Sequence, residues 1–286
     1  MDILGKRKIW YIVSSIVIGI GLVFLLINGL NFGIDFIGGT IMEFAVEENV
    51  GTEDVRAVLQ RIGIAEDANI QETDQDGLRG IMIRGQALDS DEIVAVEEAV
   101  RDEFQNVEML RTDMVGPTIG QELRINALLA MLVASIAIVA YISFRFEFRF
   151  AAVSIITLMH DVLITIGIFA ILGREVNTPF VAALLTIVGY SINDTIVIFD
   201  RIRENMKLMH KVPFIEQANS AVVDTLPRSI NTSITTLVAI LAIYFFGGAS
   251  LQTFMLALFI GMFAGTYSSI FVASPLLVTW QNRISK

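Results

Sequence analysis

Six long apolar runs dominate this sequence, and they decide where most of it can go. A helix needs about 20 apolar residues to cross the hydrocarbon layer of a membrane. Runs of that size fall near Ile9–Asn28, Ile125–Phe144, Phe150–Leu172, Phe180–Phe199, Ser229–Phe246 and Phe254–Trp280. The chain has 286 residues, 54% hydrophobic and only 17% charged, where a soluble domain would carry about 25% charged residues. The first run follows Lys6-Arg7-Lys8 but has no small-x-small cleavage site, so it reads as an uncleaved anchor and not a signal peptide. There are no cysteines, which excludes a disulfide framework, an iron–sulfur cluster and a thiol nucleophile. Two histidines, His160 and His210, are too few for a His-based metal site. No cofactor is expected.

Basic residues in short loops orient a membrane protein. With the N-terminus inside, Lys6, Arg7, Lys8, Arg145, Arg149, Arg201, Arg203, Lys207, Lys211, Arg228, Arg283 and Lys286 lie at the cytoplasmic side, against Arg174 alone in the short outer loops. Both termini are therefore expected in the cytoplasm. This divides the chain into residues 1–30 (tail and first span), an extracytoplasmic segment at 31–121, and five further spans with the C-terminus at 122–286. The outer segment is strongly acidic, which fits a solvated surface or a contact for a basic partner. Its pattern predicts strands at Thr40–Val46, Asn69–Glu72, Gly80–Gly85 and Val107–Asp113, with helices at Thr52–Ile62 and Asp89–Phe104. One helix would bury Val55, Val58, Leu59 and Ile62, and the other Ile93, Val96, Val100 and Phe104. Thr52 and Asp89 are the expected N-caps, the latter with Glu92 completing a capping box. The order βαββαβ is that of a ferredoxin-like split unit.

Acids inside a spanning helix cost about 2.5–3.5 kcal/mol on insertion scales, so they mark functional candidates. The third span contains His160-Asp161, with Ser154, Thr157, Asp161 and Thr165 on one polar stripe. His160 should point about 100° away, and neighbours on a helix are not expected to face each other. A structural hydrogen-bonding pair and a proton-path role both remain open there. The fourth span carries Gly189-Tyr190-Ser191-Ile192-Asn193-Asp194, then Asp200-Arg201-Ile202-Arg203-Glu204-Asn205. Tyr190, Asp194 and Arg201 share a face. Asp194 can bind and release a proton, because burial and a nearby cation act on its charge in opposite senses; a permanently paired structural acid is the alternative. The fifth span opens at Pro227-Arg228-Ser229-Ile230-Asn231-Thr232, with Arg228, Thr232, Thr235 and Ala239 in a stripe. Arg228 is either an interfacial arginine with its head in water or the cation that pairs with Asp194. Gly261, Gly265 and Ser269 form a small-residue seam for close helix contact. No phosphate-binding loop and no basic, aromatic patch for nucleic acid is present.

Several of these stretches together resemble the SecF family, whose spans belong to the resistance-nodulation-division transporter superfamily. Asn31-Phe32-Gly33-Ile34-Asp35-Phe36-Ile37-Gly38-Gly39-Thr40 is similar to the family's glycine-rich signature, departing at Ile37, where Thr is usual. Val115-Gly116-Pro117 with Gly120 and Glu122, His160-Asp161-Val162, the Gly189–Thr195 stretch, Asp200–Asn205, Arg228 and Phe246-Gly247-Gly248 match similarly placed motifs, so the resemblance covers essentially the whole chain. It implies a six-helix transmembrane bundle, half of a resistance-nodulation-division core, with a small extracytoplasmic ferredoxin-like α+β domain. It implies a proton-driven auxiliary subunit and not an enzyme, whose partners are SecD, the SecYEG translocon, exported preproteins, protons and the lipid bilayer, with no nucleic acid. By resemblance, Asp194 corresponds to the family's proton-relay acid and Arg228 to its functional arginine. Asp161 and His160 join the candidate relay, supported by Tyr190, Asn193 and Thr232, with Gly33, Asp35, Gly38 and Gly39 as the motif after the first span. A half-size proton-coupled efflux or lipid transporter is the alternative, though such proteins carry much larger outer domains.

Overall fold

The computed structural model describes residues 1–47, 50–64, 68–75, 78–145 and 147–284. Of the basic residues that orient the chain, Lys286 lies outside the described residues, as does the side chain of Arg145. Two compact units are present, one made of Met1–Asn31 with Leu129–Lys286 and the other of Phe32–Leu128.

Among the described residues, six helices are long and apolar enough to cross a membrane. The first span is Arg7–Asn28, the second Pro117–Arg145, the third Phe148–Leu172, the fourth Thr178–Leu208 and the fifth Phe214–Phe246. The sixth is composite: α-helix over Ala249–Ser268, a π-helical turn over Ser269–Ala273, and α-helix again over Ser274–Ile284. Several helices outrun their apolar runs. The fourth continues past Phe199 because its charged tail is stapled by one-turn pairs, Arg201 with Glu204 and Arg203 with Asp200. The fifth starts well before Ser229 and passes through Pro227. Proline in a helix interior removes one backbone bond, but Ala218, Ala221 and Val222 before it pack into the core, and Ser229 and Ser233 are buried after it. The fourth span begins cleanly, with the Asn177 side chain accepting from the Phe180 N–H at 3.1 Å.

Within this unit, small residues set helix spacing. A Cβ placed on Gly261 would lie 2.1 Å from the Ile187 side chain, and one on Gly265 would lie 3.0 Å from Ser191 Cβ. The predicted seam is therefore the line along which the sixth span packs on the fourth. A second close approach was not anticipated: a Cβ on Gly21 would come within 2.9 Å of Gly167 Cα, bringing first and third spans backbone to backbone. Residues ahead of the first span also enter the core. Ile3 and Leu4 are fully buried among Phe150, Phe199, Ala218 and Leu277. Asn219 holds them by accepting from both of their backbone N–H groups, at 2.9 and 3.2 Å, while donating to the Met1 carbonyl at 2.9 Å.

The second unit contains a four-stranded antiparallel sheet of β1 (Gly39–Ala45), β2 (Asn69–Gln75), β3 (Leu78–Gly85) and β4 (Glu108–Val115). Helix α1 (Thr52–Arg61) follows β1 and helix α2 (Ser90–Glu103) follows β3. The spatial order β2-β3-β1-β4 is that of the predicted ferredoxin-like unit. Register is fixed by pairs such as Met42 with Ile83 and Ile70 with Ile83, which place Met42, Phe44, Ile70, Ile81 and Ile83 in one core with Val55, Val58, Leu59, Val96 and Val100. Ile62, Ile93 and Phe104 line its margin as expected. Asp89 and Glu92 form the predicted capping box. Thr52 is not a cap, however. Gly51 takes that place, and its N–H donates to Asp54 at 2.9 Å, because an acid three residues on can satisfy the group from inside the helix.

The motif after the first span has a local structural reason. Gly33 precedes a single turn, Ile34–Ile37, whose Phe36 N–H donates back to the Gly33 carbonyl at 3.0 Å. Asp35 is on that turn. Gly38 and Gly39 then have φ of +77° and +139°, which only glycine adopts readily. A Cβ on Gly39 would fall 2.5 Å from the Gly85 carbonyl oxygen, and one on Gly120 would fall 3.0 Å from the Gly38 nitrogen. The two motifs that resemble the family around residues 33–39 and 115–123 thus pack on each other.

Candidate functional site

The fourth and fifth spans meet along a polar seam. Tyr190 donates to Thr236 at 3.4 Å, Ser229 to Asp194 at 2.7 Å, Arg201 to Asp224 at 2.7 Å, and the Asn205 amide to the Gln217 carbonyl at 3.1 Å. As one number rises the other falls, the signature of antiparallel helices in fixed register. The predicted shared face of Tyr190, Asp194 and Arg201 is therefore the face turned to the fifth span. Arg201 serves Asp224 and Glu204 at the end of the helix and not Asp194.

Asp194 is half-buried. Its Oδ1 accepts from Ser229, while its Oδ2 is buried with no hydrogen-bond partner among the described residues. A carboxyl oxygen in that state can take up a proton without first breaking a bond. Arg228 is exposed and has no ion-pair partner among the described residues, so the cation expected to pair with Asp194 is not bonded to it. Asn193 and Thr232 are also exposed, with Thr232 offering its backbone carbonyl to the Thr235 and Thr236 hydroxyls.

A second polar cluster lies between the third, fourth and sixth spans. Asp161 is completely enclosed; its Oδ2 accepts from Ser191 at 2.6 Å and Ser268 at 2.8 Å. Its Oδ1 lies 2.9 Å from His160 Nδ1. This corrects the expectation that adjacent residues on a helix stay apart. Both side chains are buried, and the two lean along the helix surface so that the imidazole meets the carboxyl oxygen that the serines leave free. The other ring nitrogen of His160 is buried without a hydrogen-bond partner among the described residues, and the ring stacks on Tyr267 at 6.2 Å. The rest of the predicted stripe, Ser154, Thr157 and Thr165, turns its hydroxyls onto carbonyls one turn back. Beside this cluster Thr195 and Ser269 hydroxyls meet at 2.8 Å, and Ser233 meets Thr266 at 2.7 Å.

Sequence reasoning brought forward Asp161, Asp194 and Arg228 but missed the partners that hold the two acids, Ser191, Ser229 and Ser268. Serines in apolar spans are too common to stand out singly. The signal that could have found Ser191 and Ser268 is their position beside the Gly261–Gly265–Ser269 seam. Among the described residues no group of three or more His, Asp and Glu side chains gathers as a metal site.

Comparison with known proteins supplies the context for this geometry. The family described as protein export membrane protein SecD/SecF, C-terminal, matches residues 95–283, and the SecD/SecF GG motif matches residues 23–50. The protein translocase subunit SecF of Thermobaculum terrenum is 42% identical over 99% of this chain and 95% of its own length. A crystal structure of SecDF, a translocon-associated membrane protein from Thermus thermophilus, superposes with a TM-score of 0.90 at 40% identity over 99% of this chain. SecDF in a super-membrane-facing form gives 0.71 at 39% identity. The chain spans 39% of the length of each of these two solved chains.

Proposed function

The chain belongs to the SecD/SecF family of protein-export membrane proteins, and on that premise we propose that it is the SecF-type subunit of a protein translocase, working beside a SecD-type partner to drive export with the proton gradient. It is a multi-pass membrane protein. The observation that carries the reading of mechanism is the state of Asp194: an acid within a spanning helix, held by one hydroxyl through one oxygen, with the other oxygen buried and unbonded. Asp194 takes up and releases the coupling proton. Arg228, one residue before Ser229, is the cation that approaches Asp194 when the carboxylate is charged. Moving one charge through a potential of about 100 mV releases about 2.3 kcal/mol, enough to bias two arrangements of the fourth and fifth spans.

The partner reading has separate support. The sixth span is mostly enclosed, whereas the first, second and fifth expose large apolar side chains such as Ile12, Leu132 and Val238. These faces meet lipid tails and a second bundle of the same superfamily plan, and the similar SecDF chains are longer than this one. Residues 31–121 form an extracytoplasmic domain between the first span (1–30) and the five later spans (122–286), with both termini in the cytoplasm. The domain contacts the exported preprotein or moves with it, the SecYEG channel being the source of that chain. The protein acts as an auxiliary subunit without covalent chemistry of its own. A half-size efflux or lipid transporter would instead move small molecules in the absence of any translocase.

The test is a vesicle system containing SecYEG, the SecD-type partner and an export substrate, with and without this chain. Export that rises with an imposed proton gradient only when the chain is present supports the proposal. Gradient stimulation that is indifferent to the chain contradicts it.

A further inference from the structure

We propose that Asp161 is a positioning residue. It clamps the Ser191 turn of the fourth span against the third and sixth spans and so fixes where Asp194 presents its carboxyl group. The inference rests on the reading of Asp194 as the proton-carrying acid.

The two acids are held in opposite ways. Asp161 is wholly enclosed and both its oxygens are engaged, by Ser191 and Ser268 on one and by His160 on the other. Asp194 has one engaged oxygen and one unbonded. A carrier needs a free lone pair and a way in; a clamp needs neither. Asp161 has the features of the clamp.

What it clamps is the helical turn that carries Asp194. Ser191 lies three residues before Asp194, so the two are one turn apart and move together. The Ser191 hydroxyl is bonded to Asp161 at 2.6 Å, and its carbonyl accepts from Thr195 at 3.1 Å and Ser269 at 3.4 Å. Gly265 leaves room for this grip, since a Cβ there would crowd Ser191 at 3.0 Å. On the far side of the same turn, Ser229 of the fifth span holds Asp194. The π-helical turn of the sixth span begins at this point. Ser268 and Ser269 are adjacent, yet one reaches Asp161 on the third span and the other reaches Thr195 on the fourth. Such local widening of a helix is frequent at functional sites. Losing the acceptor at 161 would release Ser191 and Ser268 together.

The groups facing each acid are few. Asp161 faces His160, whose ring lies against Tyr267; the Tyr267 hydroxyl in turn donates to the Trp10 carbonyl at 3.3 Å, reaching the first span. Asp194 accepts from Ser229, the residue after Arg228, with Tyr190 one turn away on the same helix face.

The test compares Ser191→Ala, Ser191→Cys, Ser268→Ala, Asp161→Asn and Asp194→Asn in the full chain, assembled with its SecD-type partner in vesicles. Three quantities are read: the amount of assembled complex, gradient-stimulated export per complex, and the pH profile of modification of Asp194 by a hydrophobic carbodiimide, located by mass spectrometry. A misplaced reacting group can cost up to about a hundredfold in rate. Ser191→Ala should move the Asp194 modification profile and lower stimulated export roughly tenfold. Ser191→Cys, similar in shape but a weaker donor, should fall between Ser191→Ala and wild type. Ser268→Ala should move the profile in the same direction, whereas Asp161→Asn, whose amide oxygen can still accept from both serines, should move it less. Neither serine titrates, so these shifts cannot come from loss of a relay acid. An unchanged profile with less assembled complex overturns the proposal in favour of a purely structural role. Abolished export in Asp161→Asn alongside a normal Ser191→Ala overturns it in favour of proton carriage by Asp161. Normal stimulation in Asp194→Asn would defeat the role given to Asp194, while the modification profile would still report whether Asp161 sets its position.

Discussion

Ser229 donates a 2.7 Å hydrogen bond to one carboxylate oxygen of Asp194 and leaves the other buried and unbonded among the described residues. That asymmetry ties a titratable group on the fourth span to the helix that also carries Arg228. On the proposed reading, protonation of Asp194 removes the charge that would draw Arg228 inward, and release of the proton restores that attraction. On that reading a proton changes the relation of two helices that, among the described residues, are otherwise joined by neutral contacts and a half-exposed ion-pair cluster around Arg201.

The role of Arg228 is open to graded substitution. Arg228→Lys keeps the charge but loses the planar fork and should retain part of the gradient-stimulated export. Arg228→Met should retain little, with complex assembly unchanged in both. Equal activity in the two variants would show that the positive charge is not used.

Orientation can be read by labelling, since the chain has no cysteine of its own. Glu98 is exposed on α2, and Lys211 is exposed between the fourth and fifth spans. A cysteine at position 98 should react with an impermeant maleimide added outside intact cells, and one at 211 only after the membrane is opened. The reverse pattern would contradict the assigned topology.

The small unit should fold alone. Its core joins both helices to the sheet through Leu59, Val96, Phe44 and Ile81, all completely or almost completely buried. Excised Phe32–Leu128 is expected to give a cooperative mixed α/β melt, and Leu59→Ala should lower its stability by about 2–5 kcal/mol. A coil-like circular dichroism spectrum would show that the unit needs the membrane helices.

Much of this fold is legible in the sequence because two periodicities carry it. Met42 and Phe44, two apart in β1, and the three-and-four spacing of Val55, Val58 and Leu59 leave few other ways to bury one shared face. The six spans follow from run length alone. Helix ends were harder: past Phe199 and before Ser229 the sequence turns polar, and the helices persist through ion pairs and packing that only the three-dimensional arrangement supplies. The site was half legible. Asp161 and Asp194 stand out because acids in spans are costly, but their different holds depend on serines arriving from other helices. The His160–Asp161 contact depends on what encloses the pair, which helical geometry alone does not reveal.

The burial of Ile3 and Leu4 was not legible at all, since an Ile-Leu pair before a basic run reads as tail. Asn219→Ala removes the acceptor of both their backbone N–H groups. Each donor left unsatisfied costs about 1–3 kcal/mol, so these amides should exchange with solvent deuterium roughly ten- to a hundredfold faster. Unchanged exchange would mean that apolar burial alone seats the segment.

The proposed mechanism turns on Asp194 carrying the coupling proton. Asp194→Asn keeps the shape of the side chain and can still accept from Ser229, but it has no proton to exchange. In vesicles with the SecD-type partner and SecYEG, this variant should assemble at wild-type levels and show no increase in export when a proton gradient is imposed. Full gradient-stimulated export by the assembled Asp194→Asn complex would contradict the claim.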